Sequence, residues 1–185
     1  MLSNAWALLI KKTLKHPKAD DEKRSKFCET IEAFKKQERP LVFLDESGFA
    51  HDMPRTHGYS LKGKRCFGIH NWGAKGRTNV IGALVAGTLL TVSLFETTIN
   101  TEIFDEWVVQ DLIPKLPNKS VIILDNASFH KGIKMKTSLQ KAGHTLLYLP
   151  PYSPDLNPIE KKWAQAKKIR QAHQCKIHEL FHYLI

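Results

Sequence analysis

Leu41-Val42-Phe43-Leu44-Asp45 and Val121-Ile122-Ile123-Leu124-Asp125 are written alike: four apolar residues in a row, then an aspartate. An apolar run of this length predicts a short strand buried on both faces, which only a sheet covered by helices on each side provides. An aspartate leaving such a strand is held by the core and presented at the sheet end where ligands of open α/β sheets gather. Were the two strands parallel neighbours, Asp45 and Asp125 would stand close enough to share one cation.

Outward from these runs the pattern alternates. Thr78–Val85 and Leu89–Phe95 read as a hairpin turning at Ala86-Gly87-Thr88, and Thr145–Leu149 as a further strand. Residues 47–77, rich in Gly, His and basic side chains, read as loops with a short strand around Cys66–Ile69. Helical spacing predicts helices over 20–37, 101–112, 131–142 and 158–173, with Pro158 suited to the first turn, and a last amphipathic segment over 177–184. A further short helix is expected over residues 3–16, ended by Pro17. The expectation is an α/β protein: a mixed sheet flanked by helices, behind an N-terminal helical arm over residues 1–39, with one domain over 40–185.

The 185 residues carry 28 Lys and Arg against 18 Asp and Glu, a net charge of +10, which points to a polyanionic partner, nucleic acid first. The charge is unevenly placed: net +4 over residues 1–40, −1 over 41–129 and +7 over 130–185. From Met53 to Phe95 there are six basic residues (Arg55, Lys62, Lys64, Arg65, Lys75, Arg77) and no acid. Composition excludes intrinsic disorder, and no run of 18 apolar residues suggests a membrane span. Three cysteines far apart, without CxxC, fit a reducing, cytoplasmic setting better than a disulfide framework.

Glu160 is the third acid of interest, in the first turn of an otherwise basic helix with Lys161, Lys162, Lys167, Lys168 and Arg170. Three carboxylates without a Cys or His ligand pattern suit hard, oxygen-preferring ions, magnesium or manganese. A pair of such ions can activate a water or hydroxyl and stabilise the leaving oxygen of a phosphodiester. Each acid taken singly reads equally as a turn former or a helix cap; together, in basic surroundings, they read as a metal site.

Three blocks carry a resemblance: Leu44-Asp45-Glu46-Ser47-Gly48-Phe49, Leu124-Asp125-Asn126-Ala127-Ser128-Phe129-His130, and the run from Leu149 to Glu160, Leu-Pro-Pro-Tyr-Ser-Pro-Asp-Leu-Asn-Pro-Ile-Glu. They resemble the catalytic blocks of mariner-type DDE transposases, in particular those of bacterial insertion sequences, with 34 residues between Asp125 and Glu160. The resemblance covers residues 40–185. It implies a ribonuclease H-like fold, Asp45, Asp125 and Glu160 as catalytic metal ligands, two divalent ions, and strand cleavage at the ends of an element followed by strand transfer into target DNA. It also implies a bacterial, nucleoid-associated setting and supporting roles for Asn126, His130 and Asn157, with Tyr152–Asn157 as a stiff loop that aims Glu160. The DNA backbone would be held by Arg55, Lys62, Lys64, Arg65, Lys75 and Arg77 and by the five basic residues that follow Glu160.

Transposases of this group carry an N-terminal helix-turn-helix region and are nearly twice as long. Residues 1–39 resemble only the tail of that region and its linker. The chain is therefore expected to be the catalytic product of a split reading frame, working with a separate helix-turn-helix chain and as a homodimer, or a decayed fragment. An inactive nucleic-acid-binding remnant, or a structure-specific or RNA nuclease on the same fold, are the alternatives. His178-Glu179-Leu180-Phe181-His182 matches HExxH, yet zinc is not expected, because the chain offers no downstream third ligand. No phosphate-binding Walker sequence is present, so ATP use is not expected either.

Overall fold

A computed structural model describes residues 17–52, 59–67, 76–127, 130, 132–182 and 184. The helix expected over 3–16, Arg55, Lys75 and half of the strand expected at 66–69 lie outside the described residues; Cys66 and Phe67 themselves are not in a strand.

Helix α1 (Asp21–Lys36) starts where the Asp20 carboxylate accepts the N–H groups of Glu22 and Lys23. Acids in its first turn and Lys35 and Lys36 in its last complement the helix dipole. Strand β1 (Leu41–Ala50) follows, then β2 (Arg77–Val85) and β3 (Thr88–Phe95). The latter two join through a two-residue turn in which Ala86 (φ 48°) and Gly87 (φ 84°) are both left-handed, the twist that a tight hairpin needs. Helix α2 (Thr101–Trp107), N-capped by Asn100, continues as a π-helical turn over Val108–Leu112. Strand β4 (Val121–Leu124), α3 (Ile133–Lys141), β5 (Thr145–Tyr148), α4 (Ile159–His173) and α5 (Ile177–His182) complete the order.

The five strands form one mixed sheet in the order β3-β2-β1-β4-β5, antiparallel from β3 to β1 and parallel from β1 to β5. Val42, Leu44, Ile81, Ala83, Ile122 and Leu124 bury one face beneath Phe104, Trp107, Val108 and Leu112 and beneath Met135 and Leu139 of α3. Phe49, Val80, Leu84 and Leu89 bury the other beneath Ile159, Trp163 and Ala166 of α4 and Leu180 and Phe181 of α5. On that same side, Phe27 and Ile31 of α1 cover Val121, Ile123 and Leu149. The central strands are thus covered on both sides, as their unbroken apolar runs require. The HExxH stretch, His178–His182, lies wholly on α5, whose Leu180 and Phe181 are buried in this core. Among the described residues, no helix is long and apolar enough to cross a membrane.

One expectation changes. Asp45 does not end its strand: β1 runs on through Asp45-Glu46-Ser47-Gly48 to Ala50, paired residue by residue with β2. Asp, Ser and Gly are turn formers in isolation, but a full-length antiparallel partner overrides that tendency. Asp45 reaches an open edge because β4, its neighbour on the other side, stops at Leu124.

Candidate active site

Parallel pairing of β1 with β4 matches Leu41 to Val121, Val42 to Ile122 and Phe43 to Ile123. The same register, carried two residues further, brings Asp45 level with Asp125. Past β5 the chain turns through Pro150 and Pro151 to Tyr152, a non-glycine residue at φ 56°, then a single 3₁₀ turn at Pro154–Leu156, and enters α4 with Glu160 in its first turn. A left-handed non-glycine residue is strained by about 1–3 kcal/mol, a conformation retained where the surroundings demand it. Two ties hold this loop. Asp155 receives both ends of the Arg24 guanidinium at 2.9 and 2.7 Å, and the buried Asn157 donates its amide to the Leu44 carbonyl at 3.3 Å.

Asp45, Asp125 and Glu160 consequently line one cavity of about 400 Å³, together with Asn126, Asn157 and the 149–154 turn. Burial, reinforced by the charges of Glu160, Glu46 and Asp125, pushes the Asp45 carboxyl up to about 8. Acids crowded until one retains its proton near neutrality are relieved by a cation, and carboxylate oxygens are the donors that magnesium and manganese prefer. The buried Asn157 Oδ1 finds no hydrogen-bond partner among the described residues and adds an oxygen beside the acids. The donor set therefore fits a hard divalent ion. Among the described residues, however, no three acids, histidines or cysteines close on a single point, so the three acids share a cavity rather than a finished cage.

Two side chains, His130 and Trp163, hold the aspartates. His130, buried at 1% exposure, stands between carboxylates: Nδ1 is 2.6 Å from Asp125 Oδ1 and Nε2 is 2.7 Å from Glu46 Oε1. Burial presses the imidazole down, but the hydrogen bonds and charges of Asp125 and Glu46 outweigh it and raise His130 to about 9. Both ring nitrogens then donate near neutrality. The hydrogen bond from His130 in turn holds Asp125 below the ordinary carboxylate range, and the Ala127 N–H donates to the same Asp125 oxygen at 2.9 Å. The Tyr148 hydroxyl donates to the His130 carbonyl and the Phe104 ring packs on the imidazole, fixing its backbone and plane. On Asp45, the donor is the indole N–H of Trp163, 3.0 Å from Oδ2. His130 stood among the expected supporting residues; Glu46 and Trp163 did not, and only proximity in the fold reveals them.

Of the basic candidates, Lys62, Lys64 and Arg65 are exposed, as are Lys161 and Lys168, while Lys162 is half-buried. Arg77 is exposed and its side chain passes close over Gly48. Lys167 is half-buried with its ammonium over the Phe49 ring. Arg170 separates from this set. Its buried guanidinium donates to the carbonyls of Ala50, His51 and Cys175, so it is committed to pinning the end of β1 and is not available to a phosphate.

A mixed sheet in this order, with one acid within β1, a second just past the end of the adjacent parallel β4 and a third on a following helix, is the ribonuclease H-like fold. The chain belongs to the DDE superfamily endonucleases, whose family pattern matches residues 40–179. Among solved structures, the Mos1 transposase paired-end complex with left transposon end aligns with a TM-score of 0.66 at 17% identity, covering 88% of this chain and 53% of that one. The structure of the Mos1 transposase catalytic domain and Raltegravir with Mg aligns at 0.60 and 18% identity, covering 88% and 79%. The chain thus spans about half the length of the Mos1 chain in its paired-end complex. A 44-residue stretch is 46% identical to the uncharacterized protein y4pE/y4sA of Sinorhizobium fredii (strain NBRC 101917 / NGR234), covering 24% of this chain and 30% of that protein.

Proposed function

We propose that residues 40–185 form the catalytic domain of a mariner-type transposase that cuts and joins DNA with two divalent ions, magnesium or manganese, held by Asp45, Asp125 and Glu160. The observation that carries this reading is the single cavity lined by all three acids and Asn157 in a chain of this family. Bound there, the ions would activate a water or a freed 3′-hydroxyl and stabilise the leaving oxygen. The chain's own contribution is positioning: His130 orients Asp125, and the Arg24–Asp155 and Asn157–Leu44 ties set the turn that delivers Glu160. Lys62, Lys64, Arg65, Arg77, Lys161 and Lys168 would hold the DNA backbone. The Mos1 structures with transposon ends, magnesium and manganese support DNA and divalent ions as the ligands. Residues 1–39 would act as a linker, and the element ends would be paired by a homodimer.

One observation favours a second reading, a DNA-binding remnant without activity: the acids do not close on one point. A single substitution separates the two. Asp125→Asn should abolish magnesium-dependent nicking of duplex DNA while leaving salt-sensitive DNA binding intact. Equal nicking by variant and parent refutes the triad, and no nicking by either favours the remnant. Running the assay on DNA, RNA and hybrid duplexes identifies the polymer cut.

A further inference from the structure

Gly82 of β2 pairs directly across from Asp45 of β1. Cross-strand partners point to the same face, so Asp45 has no side chain opposite it. The Trp163 ring fills the vacancy: a Cβ at position 82 would lie 2.5 Å from its Cη2 and 2.9 Å from its Cζ2. The indole is 2% exposed, set edge-on against Phe49 at 6.4 Å and Phe181 at 6.1 Å, so neither its plane nor its depth is free to vary. From that seat its N–H, a donor with no acceptor capacity, reaches Asp45 Oδ2 at 3.0 Å. Trp163 lies three residues beyond Glu160 on α4, one turn along the same face.

We infer that Trp163 is a positioning residue for metal binding: the indole, admitted by Gly82, orients the Asp45 carboxylate and locks α4 in the register that brings Glu160 to it. This rests on the metal-site reading above and adds to it a residue outside the three acids. Outer-sphere donors of this kind typically change metal affinity by about 10–100-fold when removed. A tryptophan that merely fills the core would leave affinity alone.

The test is manganese affinity by calorimetry, together with the indole N–H resonances of the full chain on magnesium addition. Trp163→Phe keeps an aromatic ring and loses the N–H; it should bind manganese about 10–100-fold more weakly. The Trp163 indole resonance, assigned by elimination with Trp6→Phe, Trp72→Phe and Trp107→Phe, should shift as magnesium saturates the wild-type protein. Gly82→Ala should lower the melting temperature because its Cβ meets the ring. Gly82→Ala with Trp163→Phe should recover much of that loss, since phenyl lacks the colliding atoms, yet bind manganese as weakly as Trp163→Phe alone. Unchanged affinity in Trp163→Phe, or an indole resonance unmoved by a magnesium ion that binds, overturns the inference and leaves the metal site standing. No binding of either ion by the wild type overturns both. Should Trp163→Phe not fold, the wild-type resonance decides alone.

Discussion

Glu46 and His130 are bonded across 84 residues of sequence, and His130 is nearly inaccessible to solvent. If Glu46 is shortened to alanine, a buried imidazole N–H loses its acceptor, which costs about 1–3 kcal/mol. His130 then loses the anchor that aims it at Asp125. Glu46→Ala should therefore unfold at lower denaturant and nick DNA about 10–100-fold more slowly, whereas Glu46→Gln, which retains an acceptor oxygen, should keep most of its stability. Denaturant melts and nicking rates on the two variants check this, and equal behaviour of both would show that the hydrogen bond contributes nothing. That Asp45, Asp125 and Glu160 share a cavity was legible in the sequence, because two of them follow four-residue apolar runs and the third lies 34 intervening residues beyond Asp125. Glu46 and Trp163 were not, because their partners lie 84 and 118 residues away and nothing local distinguishes a positioning tryptophan from a core one.

Among the elements, the four-residue apolar runs foretold both central strands, and the hairpin turn fell where Ala86-Gly87 allows left-handed backbone. The true length of β1 was hidden, since Asp45-Glu46-Ser47-Gly48 reads as a turn until β2 lies beside it. Helix α3 shows a comparable long-range device. Gly132 carries no capping side chain, and the Asp105 carboxylate of α2 lies so close to it that a Cβ would fall 2.7 Å from Oδ1, an oxygen without a hydrogen-bond partner among the described residues. Burial raises the Asp105 pKa above its ordinary value. The unfolded chain releases this proton first as pH rises, so the folded state holds more protons across the window between the two values. Stability from the neutral carboxyl is thus present below the ordinary aspartate pKa and lost as pH climbs through the raised one. Asp105→Asn retains an acceptor and carries no such loss. Its melting temperature relative to wild type should rise as pH increases from about 4 to 7; a constant difference would place Asp105 outside this linkage.

For the whole molecule, the net charge is +10, yet among the described residues the cavity that Asp45, Asp125 and Glu160 line has no Lys or Arg in its wall. Lys161 and Lys168 project from the helix that carries Glu160, whereas Arg170 two residues beyond Lys168 ties three carbonyls. Removing both lysines should flatten the logarithmic salt dependence of DNA binding by about two, one phosphate contact each. Arg170→Ala should instead lower the melting temperature and leave that slope alone, and a slope that falls with Arg170 would return it to the DNA-facing set. The proposed function stands or falls on metal held jointly by Asp45, Asp125 and Glu160. Crystals of the chain soaked in manganese and measured at the manganese absorption edge test it most directly. Anomalous density is expected in the cavity beside Asp45, Asp125 and Glu160; an empty cavity with the carboxylates apart at saturating manganese would contradict metal binding there.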